Sequence, residues 1–593
     1  MEESKNDATA GMSPPPPGAA DASPNNQAPP QDVDDGTYAA GPAAAAAATP
    51  TSLLRVSDAV LNLALGYLDS DSLAVCQSCC RVLGFAAQSD DLWQAKCAGD
   101  WGEKRKVCPH QRSPLVVAPT YLQAWRAWRR AFNGYHAADV KRVAMWWAGV
   151  EAWMSVSEHL PEVIGTLNVG VSEEDLDRAE MMLGWPLPVH LRLLYRFHNG
   201  QWLPWDERLN LSVGVDEGRP AVLPKVAGSG MSLGLLGGYC FYNHMTTSKL
   251  FSLQRGVLAG LATANALDGE NQGYFEASAN RWGMDLDTVR SRGGFLLAAG
   301  HHMRKRAWVG KDGNVRFDGK QVSLMGSFDA APVLPAAPSS SHASTGGSSR
   351  TGGGGAAAAA AGAGGRHHRG GNLMIWLEEY LRRLEGGQYG VKARWREPMR
   401  AAGEAVPRVH KLRGVWLFPR EGGEGCVTDV TKGVEIQAAP VFVPEECSDR
   451  TDLMWTYTVR MKLLGDHPSR PPAMSSCRLS TRHWEIDGPG GFHREVSGDG
   501  VIGEYPLLRV AAPAAGNVSV NVPVDEDEDE DPCVFEYESC TTLESTPGEA
   551  MQTGFCTMGG HFSFTPGSLD SPGGATFNAR VPTFHLKDPA FIF

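Results

Sequence analysis

The stretch LSTRHWEIDGPGGFHREVSGDGVIGEYP, residues Leu479–Pro506, decides what kind of fold closes this chain. Aromatic and β-branched residues alternate with polar ones, a Gly/Pro turn follows Asp487, a second run starts at Phe492, and a glycine loop ends it. That order predicts strand, turn, strand, loop. Gly498-x-Gly500-x-x-Gly503 matches a dinucleotide fingerprint letter for letter. The fingerprint needs a helix N-terminus to receive the pyrophosphate, and Glu504-Tyr505-Pro506 cannot begin one. The glycines serve a tight loop with positive φ instead. A loop of Gly498, Gly500, Gly503 and Glu504, flanked by His483 and Trp484, stays a candidate contact for a partner or a small anion. His483 has no Cys, Asp or second His at ligand spacing, so no metal is expected there.

Outward from this stretch lie further short alternating runs, Val430–Phe442, Met454–Leu464, Phe535–Cys540 and Phe577–Leu586, parted by Pro, Gly and charged turns. Several short strands at even spacing predict an all-β sandwich. Trp455-Thr456-Tyr457-Thr458-Val459, Ser480-Thr481-Arg482-His483-Trp484, Gly498-Asp499-Gly500-Val501-Ile502-Gly503-Glu504, Phe535-Glu536-Tyr537 and Val581-Pro582-Thr583-Phe584 follow one another in the order of the ApaG domain. The block resembles that family over nearly its whole length. The resemblance implies an immunoglobulin- or fibronectin-like sandwich over 403–593, interrupted by an acidic loop insertion at 511–532.

Upstream, residues 151–385 read as mixed helix and strand. Ser172 and Asp175 have capping-box spacing ahead of Leu176, Ala179 and Leu183. Val189–His198 reads as a second helix, stopped by Asn199-Gly200. Gly234–Tyr242 reads as a buried strand and Leu373–Glu385 as a closing helix. These signals resemble the SUKH superfamily of cell-wall assembly regulator-like proteins. That likeness implies an α+β domain that binds proteins, and it transfers no catalytic residue. The Pro-, Ser-, Gly- and Ala-rich stretch 327–371 reads as a disordered insertion and 386–402 as a linker. His301-His302-Met303-Arg304-Lys305-Arg306 reads as a solvated basic turn.

At the front, Val60, Leu61, Leu65 and Leu68 line one face of a helix. Asp69-Ser70-Asp71-Ser72 offers cap oxygens to a second helix, whose apolar residues recur at Leu73, Cys76, Cys80 and Leu83. Ser89-Asp90-Asp91 introduces a third, with Leu92, Trp93 and Cys97. Three short helices make a core too thin to be self-sufficient. The run VSDAVLNLALGYLDSDSLAVCQSCCRVLGFAAQSDDLWQAKC, Val56–Cys97, resembles an F-box, with Leu54-Arg55-Val56 where that family opens on Leu-Pro. The resemblance implies an all-α motif over 52–98 that docks on the Skp-type adaptor of a cullin ubiquitin ligase. By position, Val60, Leu61, Leu65, Leu68, Leu73 and Val82 would make that contact. A Trp-rich helical connector, 99–150, follows. Cys76-x-x-Cys79, with Cys97, Cys108 and His110, lacks the second CxxC of a zinc site. Those thiols read as small hydrophobes.

Of 593 residues 42% are apolar, enough for several cores. Seven acids in Asp525–Asp531 supply much of the net charge of −13, and no basic face dominates, so nucleic acid is not an expected partner. Twelve scattered cysteines and a polar N-terminus argue against a secretory route, leaving cytoplasm or nucleus. No run approaches ~18 apolar residues, so no membrane partner is expected. Residues 1–50, with Pro14–Pro17 and Ala43–Ala48, read as a disordered tail. The expected fold is therefore multidomain: an all-α F-box, an α+β SUKH domain and an all-β ApaG sandwich. In this order the blocks resemble F-box proteins of plants and animals. What this implies is a non-catalytic receptor without cofactor, bringing unidentified proteins to the Skp adaptor and cullin core for ubiquitination. Nucleotide or pyrophosphate binding by the last block, and a scaffold independent of any ligase, stay open as alternatives.

Overall fold

The computed structural model describes residues 56–109, 117–156, 160–202, 234–241, 244–268, 294–300, 305–319, 328–332, 371–396, 410–420, 422–447, 452–488, 491–510, 533–544, 555–568, 570–587 and 589–593. The tail 1–50, the insertion 511–532 with its acidic run, His110 and residues 301–304 lie outside them.

The front of the chain folds into α1 (Asp58–Gly66), α2 (Ser70–Cys79), α3 (Arg81–Ala86) and α4 (Asp90–Trp101). Asp69 caps α2, accepting from Ser72 N at 2.7 Å. Where one helix was expected from Leu73 to Leu83, Cys80 is fully extended (φ −158°, ψ 167°) and splits it into α2 and α3. The two then pack so closely that a Cβ on Gly84 would lie 2.8 Å from the Gln77 carbonyl oxygen. The connector supplies α5 (Tyr121–Ala131) and α6 (Ala137–Met154). Its tryptophans form a continuous aromatic core, with Trp93 and Trp125 rings 4.9 Å apart and Trp101 and Trp128 6.0 Å apart. The indole of Trp146 donates to the Leu377 carbonyl, so the connector is packed onto the middle of the chain.

The middle block begins with α7 (Pro161–Ile164), β1 (Leu167–Val169), α8 (Glu173–Leu183), α9 (Val189–Phe197) and β2 (His198–Gln201). Ser172 and Asp175 form the capping box their spacing predicts. Asn199-Gly200 does not stop α9. The helix ends at Phe197, and both residues sit in β2, paired to β1. Gly200 has φ +64°, and a Cβ there would meet Phe251 O at 2.2 Å, so the glycine is required by a close backbone approach. Asn199 Oδ1 accepts from Leu253 N at 2.7 Å.

Next come β3 (Gly238–Phe241), β4 (His244–Thr247), β5 (Lys249–Leu250), α10 (Leu253–Asp268), β6 (Gly294–Ala299), β7 (Lys305–Gly310), β8 (Val315–Gly319) and β9 (Phe328–Asp329). Strands β5 to β9 form one antiparallel sheet in chain order. The insertion therefore starts later than its composition implied, since Phe328–Asp329 still pairs with β8. Lys305 and Arg306 are not a solvated turn. Lys305 is fully buried, donates to Phe593 O, and lies 4.4 Å from the Tyr239 ring centroid. Burial lowers its pKa to about 8. Arg306 forms a two-pronged pair with the buried Asp318.

Helix α11 (Leu373–Glu385) buries Trp376, Leu377, Tyr380 and Leu384. The expected linker holds β10 (Gly390–Arg396), which pairs along its length with β11 (His410–Trp416). Trp416 pairs in turn with Gly238, giving the sheet β10-β11-β3-β4. The backbone of this stretch is satisfied by a neighbouring strand.

The last block is a sandwich. One sheet orders β12 (Val427–Thr431), β13 (Val434–Phe442), β14 (Asp452–Leu463) and β18 (Val534–Glu544). The other orders β16 (His493–Asp499), β15 (Ser476–Asp487), β19 (Phe555–Pro566) and β20 (Phe577–Lys587), with β17 (Leu507–Arg509) also on β15. Strand β20 shows the period-2 signal plainly: Phe577, Ala579 and Val581 are buried while Asn578 and Arg580 face out.

Middle and last blocks share polar and aromatic contacts. Tyr239 donates to Glu445 Oε2 at 2.6 Å, and Thr456 Oγ1 donates to Cys240 O at 2.6 Å. Trp376 Nε1 donates to Ile592 O at 2.6 Å, and the Phe593 ring stacks 5.7 Å from Trp376. Burial raises the Glu445 carboxyl above its ordinary range.

Candidate docking face and the glycine loop

Helix α1 carries two apolar stripes. Leu61 and Leu65 point inward and are buried, as is Leu73 on α2; Leu68 and Val82 are half-buried against the same core. Val60 and Leu63, at i and i+3 on α1, and Tyr67, in the turn just after it, are exposed. With Val75 on α2 and Phe85 on α3 they are between 56% (Val60) and 84% (Tyr67) exposed. Of the residues that the sequence pointed to, Leu61, Leu65 and Leu73 lie in the helices' own core and Val60 is exposed, as are Leu63, Tyr67, Val75 and Phe85, which the sequence reading did not single out. Periodicity locates an apolar stripe but cannot say which of two faces the core. The signal that could have found the outer one is that a nine-residue helix is apolar on two sides.

Polar bonds cross-link these helices. Lys96 donates to Gly66 O at 3.0 Å and to Leu68 O at 2.5 Å, tying the end of α1 to α4. The Trp125 indole donates to Asp100 Oδ2 at 2.8 Å, and Ser70 Oγ donates to the same oxygen. Arg129 pairs with Asp71 at 2.7 Å, joining α5 to α2. The apolar face is therefore presented on a braced platform.

In the sandwich, Trp484 is not a surface residue. It lies buried between the sheets, its ring 5.5 Å from Tyr457 and 5.4 Å from Phe562. His483, one residue earlier, faces out. Its Nδ1 lies 2.7 Å from Ser497 Oγ, its Nε2 3.3 Å from Glu485 Oε1, and its ring 4.9 Å from His561. Burial and His483 together lower the His561 pKa. Ser497, His483, His561 and Arg580 are register partners on successive strands, which makes a polar cross-strand row.

The glycine loop is closed on itself. Gly500 N donates to Ser480 O, Val501 N to Glu504 O and Glu504 N to Val501 O, at 2.7–2.9 Å. Arg482 lies over Gly498 and donates to the carbonyls of Asp499 and Gly500 at 3.1 and 2.8 Å. Gly500 and Gly503 take φ +58° and +83°, as expected of the loop glycines, whereas Gly498 is an ordinary residue of β16 paired with Arg482 and does not have positive φ. The amides of Gly500, Val501 and Glu504 are thus bonded within the protein. The loop turns outward Ile502, Gly503, Glu504 and Tyr505.

Among the described residues, no three metal-ligating side chains converge, and no helix is long and apolar enough to cross a membrane.

The ApaG domain family matches residues 445–513. The chain is 28% identical over 546 residues to F-box protein SKIP16 of Arabidopsis thaliana, an alignment covering 90% of this chain and 98% of that protein. It is 22% identical over 551 residues to human F-box only protein 3, covering 91% and 84%. It is 32% identical over 161 residues to protein ApaG of Bradyrhizobium diazoefficiens, covering 27% and 92%. The likeness to plant and animal F-box proteins, and to ApaG at the end of the chain, is the one the sequence motifs carried. The architecture is multidomain, with helices, several sheets and an ApaG-type β domain.

Proposed function

We propose that this chain is a non-catalytic substrate receptor of a Skp–cullin–F-box ubiquitin ligase. In this reading residues 52–98 are the F-box, and α1 to α3 dock on the Skp-type adaptor through Val60, Leu63, Tyr67, Val75 and Phe85. The SUKH-like middle block and the ApaG-type sandwich together hold a protein to be ubiquitinated. Holding that protein beside a charged conjugating enzyme raises its effective concentration, which is the whole of the receptor's contribution to rate.

The observation that carries the reading is the two-sidedness of the front helices. Their inner stripe is consumed by their own core, and their outer side chains stand in water on a braced platform. Large exposed apolar side chains in one small region mark a protein-binding surface. Near full-length alignment with two proteins named for an F-box points the same way. The packed middle and last blocks suit a single rigid arm better than two beads on a string.

The test is co-purification with a Skp-type adaptor. Leu63→Asp with Tyr67→Asp should abolish capture and leave the circular dichroism and melting curve intact, because both side chains are already solvated. Leu61→Asp would unfold the helices and is the control for indirect loss. Undiminished capture by the folded double variant sinks the proposal.

A further inference from the structure

Three thiols fall within five residues beside the outer apolar face. Cys79 and Cys80 are exposed and Cys76 is half-buried. Cys79 lies one helical turn beyond Val75, its Sγ 3.5 Å from the Val75 carbonyl oxygen. Cys80 is the extended residue at the α2–α3 corner, and Arg81 and Phe85, both exposed, follow it on one side of α3. Of the other thiols, Cys108, Cys426, Cys533, Cys540 and Cys556 are half-buried, so Cys79 and Cys80 are the two exposed ones. Cys97, Cys240, Cys447 and Cys477 are buried, and burial pushes the Cys97 and Cys477 thiols up to about 12. A thiol held that high carries almost no thiolate and does not react.

The geometry also says which reaction the exposed pair can undergo. Adjacent residues have Cα atoms about 3.8 Å apart, shorter than the roughly 4.4 Å minimum usual for a disulfide. Cys76 and Cys79 sit at i, i+3, where helical Cβ atoms are about 5–6 Å apart, against roughly 3.5–4.5 Å in a disulfide. Closing a Cys76–Cys79 bridge would distort α2, and a Cys79–Cys80 bridge would distort the corner that Gly84 packs against Gln77. Neither bridge fits the local backbone, and an external partner sulfur meets no such constraint.

We infer that Cys79 and Cys80 form a modification site for low-molecular-weight disulfides such as oxidised glutathione, and that an adduct there closes the docking face. The inference rests on the docking reading of the preceding subsection. In the step, the Cys79 or Cys80 thiolate attacks one sulfur of glutathione disulfide. The protein–glutathione S–S bond forms as the glutathione S–S bond breaks, and the second glutathione leaves with the electron pair and takes up a proton. The protein sulfur is oxidised and the departing sulfur reduced. Arg81 places a positive charge next to the thiols, suited to an anionic tripeptide. The adduct then sets a bulky charged group one helical turn from Val75, at the corner that leads into α3 and Phe85, where an apolar partner surface would have to desolvate it.

The reduced full-length chain is incubated with oxidised glutathione. Adducts are mapped by peptide mass spectrometry, and adaptor capture is measured before and after. Adducts are expected at Cys79 or Cys80 and not at Cys97, Cys240, Cys447 or Cys477. Capture should fall by about tenfold or more and recover with reductant. A Cys79→Ser, Cys80→Ser variant should keep its capture in the oxidant. Adducts confined to other thiols, or modified chain that captures adaptor as well as reduced chain, overturn the inference. Failure of the reduced chain to capture adaptor at all removes the docking reading and the closure together. Intact capture that ignores the adduct removes the closure alone.

Discussion

Replacing Phe85 with alanine separates the docking surface from the core beneath it. A phenylalanine side chain carries about 200 Å² of surface, and in this chain Phe85 is 83% exposed. Moving that area out of water at about 25 cal/mol per Å² sets a ceiling of about 4 kcal/mol on its contribution to adaptor binding. Alanine retains the Cβ, and an interface rarely seals a ring completely, so about 2–3 kcal/mol is the working figure, within the usual hot-spot range. That corresponds to a Kd raised about 30- to 150-fold. Stability should hardly move, within about 0.5 kcal/mol, because the ring already stands in water. Leu61→Ala is the mirror experiment: it opens a cavity under the same helices and should cost about 2–5 kcal/mol of stability. Calorimetric titration with purified adaptor, paired with denaturant melts of both variants, reads the two effects separately. A Phe85→Ala chain that melts like the parent and binds adaptor as tightly would refute the assignment of this face.

Glu536 makes stability depend on acid. Burial alone would raise its carboxyl, but Lys392 and Arg460 at 2.9 and 3.1 Å outweigh that and hold it at about 2. A depressed carboxyl stabilises the fold above its unfolded value and loses that contribution as pH falls toward 2, so Lys392→Met should shrink the difference between urea midpoints at pH 6 and pH 3. In the sandwich, Trp484→Ala should cost about 3–5 kcal/mol as a core deletion, whereas His483→Ala on the outer face should stay within about 0.5 kcal/mol; equal losses in thermal melts would contradict the assigned sides of β15. Gly500→Ala should lower the melting temperature, because φ is +58° and the new Cβ would meet Glu504 O at 2.5 Å; an unchanged melt would mean that the loop tolerates another path.

Much of the last block was legible before any coordinates. Strand runs around Val430–Phe442, Met454–Leu464 and Phe577–Leu586 appear as β12, β13, β14 and β20, because alternation with period two reports which side of a sheet is buried. The capping box at Ser172 and Asp175 was legible too, since it is made by neighbours in the chain. The misreadings share one cause. Asn199-Gly200 carries a helix-stop signal, yet Gly200 is there because the Phe251 backbone passes 2.2 Å from where a side chain would start. Lys305 reads as surface charge, yet it lies buried against Tyr239, Phe317 and Phe593. Trp484 stands beside the glycine loop in sequence and faces away from it in space.

By itself, then, the order of residues established the strands of the last block and the capped start of α8, since period-two alternation and a capping box are made by near neighbours in the chain. Tertiary structure alone decided which apolar stripe of α1 faces water, that a supposed linker is a strand, and that the middle and last blocks pack as one body. Those outcomes depend on what a segment meets after a long excursion of chain, as Tyr239 meets Glu445 and Trp376 meets Ile592. Burial is a property of the partner as much as of the residue, and a one-dimensional pattern does not name the partner.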